Sequence, residues 1–307
     1  MNAASAILRS EIFTLLLFPS LINMHSIRNL LLTLASMAPS SLAIISGTPD
    51  GNRHPGVGMI AWYKDGKWLR ACTGTLIAPD VVLTAGHCVT DYDGTQPERI
   101  RVVFDSDSSN ARLPNFPSGA DVYADSVSFQ HHPFYRFDSF VTPDVAIIKL
   151  DRRMNLPITP LIEEYGLMDA NKRFRIKVGS TLEVVGYGQD AKAVKVFGGN
   201  FDANTFTQAE WDQLYHYVRM YGTPSLLGFP GKDKHETHFS NSANAKTGAT
   251  CYADSGSALR SNGKIIGVVS YGHAGYGNFK HLPCEAPGFN ARVDTPVVRD
   301  WILSFLN

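Results

Sequence analysis

The chain has 307 residues, 44% hydrophobic and 18% charged, a globular balance that excludes a disordered, collagenous or coiled-coil protein. Lys+Arg and Asp+Glu both number 28, so the formal charge is zero and the broad basic field of a nucleic-acid binder is missing. Four cysteines are too few for a disulfide-dense miniprotein but suffice for two staples in a larger secreted domain.

Two apolar stretches come first, residues 12–22 and 30–45. Pro19 interrupts the first, and Ser36, Pro39, Ser40 and Ser41 dilute the second. Neither reaches the roughly eighteen unbroken apolar residues of a membrane span. A secretory signal fits better. Residues 24–29 form a short n-region with Arg28, residues 30–37 an apolar h-region, and Ser41-Leu42-Ala43 a small-residue cleavage site. Residues 1–43 are therefore expected to be a signal peptide, with Met24 a candidate true start, and residues 44–307 the mature domain. Removal of the signal predicts a secreted, extracellular protein with no stable membrane insertion. An anchor that stays attached is the alternative.

Beyond Ile44 the pattern is one of short strands between turns. Residues 57–63, 71–77, 81–84, 100–104, 126–131, 145–150, 181–187, 257–260 and 264–270 read as strands. Asp65-Gly66 and Asn262-Gly263 read as hairpin turns. Many short strands predict a sandwich or barrel. Helical periodicity is confined to two segments. Residues 207–221 open on a capping box, Thr207 and Glu210. Residues 295–306 have Pro296 in the first turn and Val297, Val298, Trp301, Ile302 and Phe305 as an apolar set.

Three segments carry chemistry. They are Thr84-Ala85-Gly86-His87-Cys88, Asp144-Val145-Ala146-Ile147-Ile148-Lys149-Leu150, and Asp254-Ser255-Gly256 within Cys251 to Ala258. They offer a His, an Asp and a Ser in that order. A serine hydroxyl is a poor nucleophile until a base takes its proton, and the base needs an anion to fix its tautomer. A zinc reading of the cysteines is weak, because no C-x₂-C pair occurs. His235 and His238 lack the spacing of a metal-binding helix and read as a solvated loop. The four cysteines allow three pairings.

With these blocks the sequence resembles the chymotrypsin-like, trypsin-fold serine proteases from about Ile44 to the C-terminus. His132-Pro133-Phe134-Tyr135, Gly186-Tyr187-Gly188, Ser270-Tyr271-Gly272 and residues 287–293 are further matches. The resemblance implies an all-β fold of two six-stranded antiparallel barrels with a C-terminal helix returning to the first barrel. The boundary between barrels is expected near residues 156–166. It implies a secreted serine endopeptidase with His87 as general base and acid, Asp144 orienting it, and Ser255 as nucleophile. Ser270 would lie against Asp144. The backbone N–H groups of Ala253 and Ser255 would form the oxyanion hole, although Ala253 stands where the family normally has Gly.

The same resemblance pairs Cys72 with Cys88 and Cys251 with Cys284. It implies an ion pair between the freed amino group of Ile44 and Asp254. The substrate pocket maps to Ala249, Thr250, Ser270, Gly272 and Gly288. With no acid at its floor, it should prefer apolar or aromatic side chains. No cofactor or metal is implied. The expected partners are protein or peptide substrates and proteinaceous inhibitors, with no nucleic acid, and the expected state is a monomer. The alternative is a weakly active or inactive homologue acting as a binding module, which Ala253 favours and the complete triad opposes. A carboxylesterase reading fails, because Ala253 and Ser257 occupy the glycine positions of G-x-S-x-G.

Overall fold

A computed structural model describes residues 44, 47–91, 93–109, 119–139, 141–169, 171, 173–188, 217–228, 238–241, 248–272, 284 and 287–306. The expected signal segment and the expected helix over 207–216 lie outside these residues. Strands dominate the regular structure of the described part, as the pattern of short strands between turns predicts.

The first half holds β1 (Thr48–Pro49), β2 (Val57–Lys64), β3 (Lys67–Ala78), β4 (Val81–Thr84), β5 (Arg99–Val103), β6 (Tyr123–His131) and β7 (Ala146–Leu150). Six of these close a barrel in the order β2-β3-β4-β7-β6-β5. Asp65 and Gly66 join β2 to β3 with φ of 51° and 74°. Positive φ at both central residues is what a tight twisted hairpin requires. Ile60, Leu76, Val82, Leu83, Ile100, Val102, Ile147 and Ile148 belong to one buried hydrophobic cluster.

The second half holds β8 (Glu183–Gly186), β9 (Met220–Gly222), β10 (Leu226–Gly228), β11 (His238–Asn241), β12 (Ala258–Ser261), β13 (Lys264–Gly272) and β14 (Gly288–Arg292). Together with β1 they form one antiparallel sheet in the order β1-β9-β8-β12-β13-β14-β11-β10. Its far edge returns to β8. The Leu182 N–H donates to Pro224 O at 2.7 Å, and the Leu226 N–H to Ser180 O at 2.9 Å. β9 and β10 are thus two halves of one bent strand, and the ring of β8, β12, β13, β14, β11 and β9/β10 has six positions. The Asn262-Gly263 hairpin has φ of 50° and 73°, again both positive.

Two local expectations are corrected. The helix expected over 207–221 does not extend through its end, because Met220–Gly222 is strand β9, paired with β8 and with Thr48. Cross-strand pairing overrides a local helical pattern there. His238, read as loop, begins β11.

Between β7 and β8 the chain crosses from one half to the other. The Thr159 N–H donates to Leu76 O at 2.9 Å, and the Ile162 N–H donates to Ile265 O at 2.9 Å. The terminal helix α1 (Pro296–Leu303) starts on Pro296, whose fixed φ suits a first helical turn. Val298 and Ile302 join the first hydrophobic core, and Trp301 packs edge-on to His132 at 5.0 Å.

A buried polar cluster also joins the halves. Arg219 is fully buried and donates to Asp50 Oδ2 at 2.9 Å, to Val57 O at 3.1 Å and to Phe104 O at 3.0 Å. The Tyr187 hydroxyl donates to Asp105 O at 2.7 Å. Removing one partner of a buried ion pair strands the other charge. Arg219→Leu is expected to lower stability by about 3–5 kcal/mol in urea unfolding with disulfides intact. A loss under about 1 kcal/mol, the scale of an exposed pair, would contradict the structural role of Arg219.

Candidate active site

β4 delivers Ala85 to a short 3₁₀ turn, Gly86–Cys88, which carries His87. Cys72 and Cys88 form a disulfide with Cα atoms 5.8 Å apart, so the turn is tied to β3. Asp144 lies just before β7, the strand beside β4. Its side chain is 9% exposed and spends both carboxylate oxygens locally. Oδ1 accepts the His87 backbone N–H at 3.0 Å, and Oδ2 lies 2.8 Å from His87 Nδ1. Ser270 Oγ, on β13, donates to Oδ2 at 2.5 Å. An ionised Asp144 fixes the proton on Nδ1 and leaves His87 Nε2 as the basic nitrogen.

The electrostatics follow from this geometry. Burial pushes the Asp144 carboxyl up, but the His87 charge and the hydrogen bonds from His87 and Ser270 outweigh it and hold the carboxyl at about 2. Burial also pushes the His87 imidazole down, and the Asp144 charge and hydrogen bond overcome this to raise it above its ordinary 6.5.

Ser255 sits in the tight segment before β12. Cys251 and Cys284 form a second disulfide with Cα atoms 5.0 Å apart. The Asp254 N–H closes a turn onto Cys251 O at 3.1 Å. The Asp254 side chain is fully buried and accepts the Gly188 N–H at 2.8 Å and the Cys251 N–H at 2.9 Å. Ala253, the third residue of that turn, has φ of +65°. This is the left-handed region, where a β-carbon costs roughly 1–2 kcal/mol. Among the described residues, neither the Ala253 N–H nor the Ser255 N–H donates a backbone hydrogen bond. Gly256, with φ of +83°, packs its backbone against Thr73 O and Thr84 Oγ1, where any Cβ would collide. That close approach seats the serine segment on the strands that lead to His87.

Two adjoining cavities open here. One, of about 220 Å³, is lined by His87, Tyr135, Arg136, Phe137 and Thr142 among others. The other, of about 290 Å³, is lined by Ser255, Thr250, Tyr252, Val269 and Gly272 among others. They share Ser270 and Tyr271. Of the expected pocket residues, Thr250, Ser270 and Gly272 line the cavity that holds Ser255. Ala249 is 1% exposed and Gly288 is buried, and neither is among the described residues that line it. Tyr252 and Val269 line it without having been expected. Closeness in sequence to Ser255 was the available signal for Tyr252; alternation would place Val269 opposite Ser270, and the register of β13 shifts between Val269 and Tyr271. No charged side chain lines this cavity among the described residues.

A second His–carboxylate pair lies elsewhere. His54 Nδ1 is 2.5 Å from Asp50 Oδ1, but the other Asp50 oxygen is taken by Arg219, which suits a structural brace. Cys72, His87 and Cys88 are close enough to suggest a metal site, but both sulfurs are spent in the disulfide and offer no thiolate.

Comparison with known proteins agrees with this geometry. The family model described as Trypsin matches residues 45–302. Trypsin delta from Drosophila melanogaster is 26% identical over 235 residues, covering 76% of this chain and 78% of its own. Brachyurin from Leptuca pugilator is 27% identical, covering 75% and 85% respectively. Snake venom serine protease Haly-2 from Gloydius brevicauda is 27% identical over 287 residues, covering 91% and 93%.

The paired shifts predict a pH signature. Reaction of Ser255 with a fluorophosphonate needs neutral His87, so its rate should rise with pH through a midpoint above 6.5. In Asp144→Asn the raising influences vanish and burial alone remains, so the midpoint should fall below 6.5. The rate at neutral pH should drop by about 10⁴. An unchanged midpoint in the variant would contradict the coupling.

Proposed function

We propose, on the premise that the chain belongs to the trypsin family of chymotrypsin-like serine proteases, that it is a secreted serine endopeptidase acting through His87, Asp144 and Ser255. The observation that carries this reading is the buried Asp144 carboxylate, held by His87 and Ser270, beside a serine turn whose two candidate donors, the Ala253 and Ser255 N–H groups, make no backbone hydrogen bond among the described residues.

The chemistry runs in two halves. His87 Nε2 takes the Ser255 proton as Oγ attacks the scissile carbonyl, and Asp144 stabilises the imidazolium that forms. The N–H groups of Ala253 and Ser255 receive the developing oxyanion. His87 then returns the proton to the leaving amine, and water repeats the sequence on the acyl-enzyme. No cofactor enters these steps. The cavity beside Ser255, walled by Tyr252, Val269, Tyr271 and Gly272 and without a charged side chain among its described lining residues, supports a preference for apolar or aromatic side chains before the scissile bond.

Secretion is supported by the signal-like N-terminus and by the two disulfides, which persist in oxidising compartments. Cleavage after Ala43 would free the Ile44 amino group to pair with Asp254. In the intact chain that nitrogen is a peptide amide, and the Ile44 side chain is fully buried in the second core. The pair therefore belongs to a processed form. Protein substrates and inhibitors are the partners of this reading, and a monomer is its working state.

The second reading is a weak homologue that binds rather than cleaves, and the observation favouring it is the positive φ of Ala253. Three measurements separate the readings. Fluorophosphonate should label Ser255, because only an activated serine reacts quickly. Ser255→Ala and His87→Ala should remove nearly all peptide turnover, leaving roughly 10³–10⁴ over water. Ala253→Gly should change turnover by less than about tenfold, or 1.4 kcal/mol. A gain of a hundredfold or more would move the reading to the weak homologue.

A further inference from the structure

Ala253 is in a conformation its β-carbon disfavours, and among the described residues neither candidate oxyanion donor is spent in a backbone hydrogen bond. Something must hold the turn. Cys251 to Asp254 is closed by the Asp254 N–H to Cys251 O bond, and Ala253 is its third residue, with positive φ, while Tyr252 is not in the positive-φ region. That is a type II turn, which favours Gly at this position. Alanine favours the type I alternative, which turns the Tyr252–Ala253 peptide by about half a rotation and aims the Ala253 N–H elsewhere.

Thr73, on β3, grips this turn from below. Its backbone N–H donates to Ser255 O at 2.8 Å. Its hydroxyl donates to Ala253 O at 3.0 Å and accepts the Tyr187 N–H at 3.2 Å. Its own carbonyl is held by Thr84 Oγ1 at 2.8 Å. Thr73 is fully buried, and it follows Cys72, whose disulfide partner Cys88 follows His87. One residue therefore binds the carbonyls of both residues that carry the candidate donors, and references them to the strand that fixes the histidine turn.

We propose that the Thr73 hydroxyl is a positioning group for the oxyanion hole, clamping the strained Ala253 turn so that its N–H stays aimed at the reacting carbonyl. Strain at Ala253 can be released by turning either peptide attached to it. The clamp pins the following peptide at its carbonyl. The remaining route, the flip of the Tyr252–Ala253 peptide, must then occur between fixed ends. Without the hydroxyl, Ala253 O and the Tyr187 N–H both lose a partner, and the turn relaxes in the direction its alanine prefers. Thr73 touches neither substrate nor the reacting atoms, so its effect passes through Ala253.

The inference rests on the endopeptidase reading, and one set of assays separates the two. The substrate is a peptide amide with an aromatic residue before the scissile bond. Thr73→Val keeps the shape and removes the hydroxyl. It should lower kcat by about ten- to a hundredfold, approaching the loss of one oxyanion donor, with KM within about threefold. Thr73→Ser keeps the hydroxyl and should stay within about threefold of the parent. Ala253→Gly, introduced into Thr73→Val, should restore kcat to near that of Ala253→Gly alone, because a glycine turn needs no clamp.

A purely structural Thr73 would lower the unfolding temperature without this kcat loss and without rescue by a glycine elsewhere. If Thr73→Val does not fold, Thr73→Ala gives the same comparison. Unchanged kcat in the hydroxyl-free variant, or a loss that Ala253→Gly does not relieve, overturns the clamp. Absence of parental turnover sensitive to Ser255→Ala instead overturns the endopeptidase reading.

Discussion

Asp144 is the charge around which the site is built. A carboxylate on a side chain only 9% exposed would be strongly disfavoured alone, so its donors are obligatory rather than optional. The first barrel supplies two of them through His87, and β13 of the second sheet supplies the third through Ser270. The anion therefore orients the imidazole and draws the two halves together at one point. The hydroxyl of Ser270 matters here because it satisfies a lone pair without adding a competing positive charge.

The serine side of the site is governed by backbone packing rather than by charge. Gly256 lies so close to Thr73 and Thr84 that no side chain fits, and Gly188 lies equally close to the Asp254 carboxylate. The Gly256 contacts press the turn onto the middle of β3 and the end of β4. Ala253 then carries a strain of roughly 1–2 kcal/mol. A lost oxyanion donor would cost about 2.7–4 kcal/mol in the transition state. The two quantities are of one order, so a turn built on Ala rather than Gly depends on its surroundings to stay in place, and the neighbours of Thr73 provide those surroundings.

Much of the architecture could be read from sequence because its signals are local. Asp65-Gly66 and Asn262-Gly263 declare their hairpins through residues that accept positive φ. The apolar run 145–150 declares a buried strand, and Pro296 a helix start. The pairing of Cys72 with Cys88 and of Cys251 with Cys284 followed from family resemblance, since four cysteines alone leave three choices. What escaped was non-local. Met220-Tyr221-Gly222 forms a strand because β8 and Thr48 pair with it, and no window of sequence contains those partners. Ala249 and Gly288 match pocket positions by family resemblance, but the described lining adds Tyr252 and Val269 to Thr250, Ser270 and Gly272 and does not include those two. The hydroxyl bond from Thr73 to Ala253 spans 180 residues and has no sequence signature at all.

The central claim is that a buried, ionised Asp144 controls the proton on His87. Proton NMR of His87 measures this most directly. The account predicts a hydrogen-bonded Nδ1–H resonance far downfield of the backbone amides, absent from His87→Ala, with the ring titrating above its ordinary value of 6.5. A ring that titrates at or below 6.5 in the folded protein, with no such downfield proton, would contradict it.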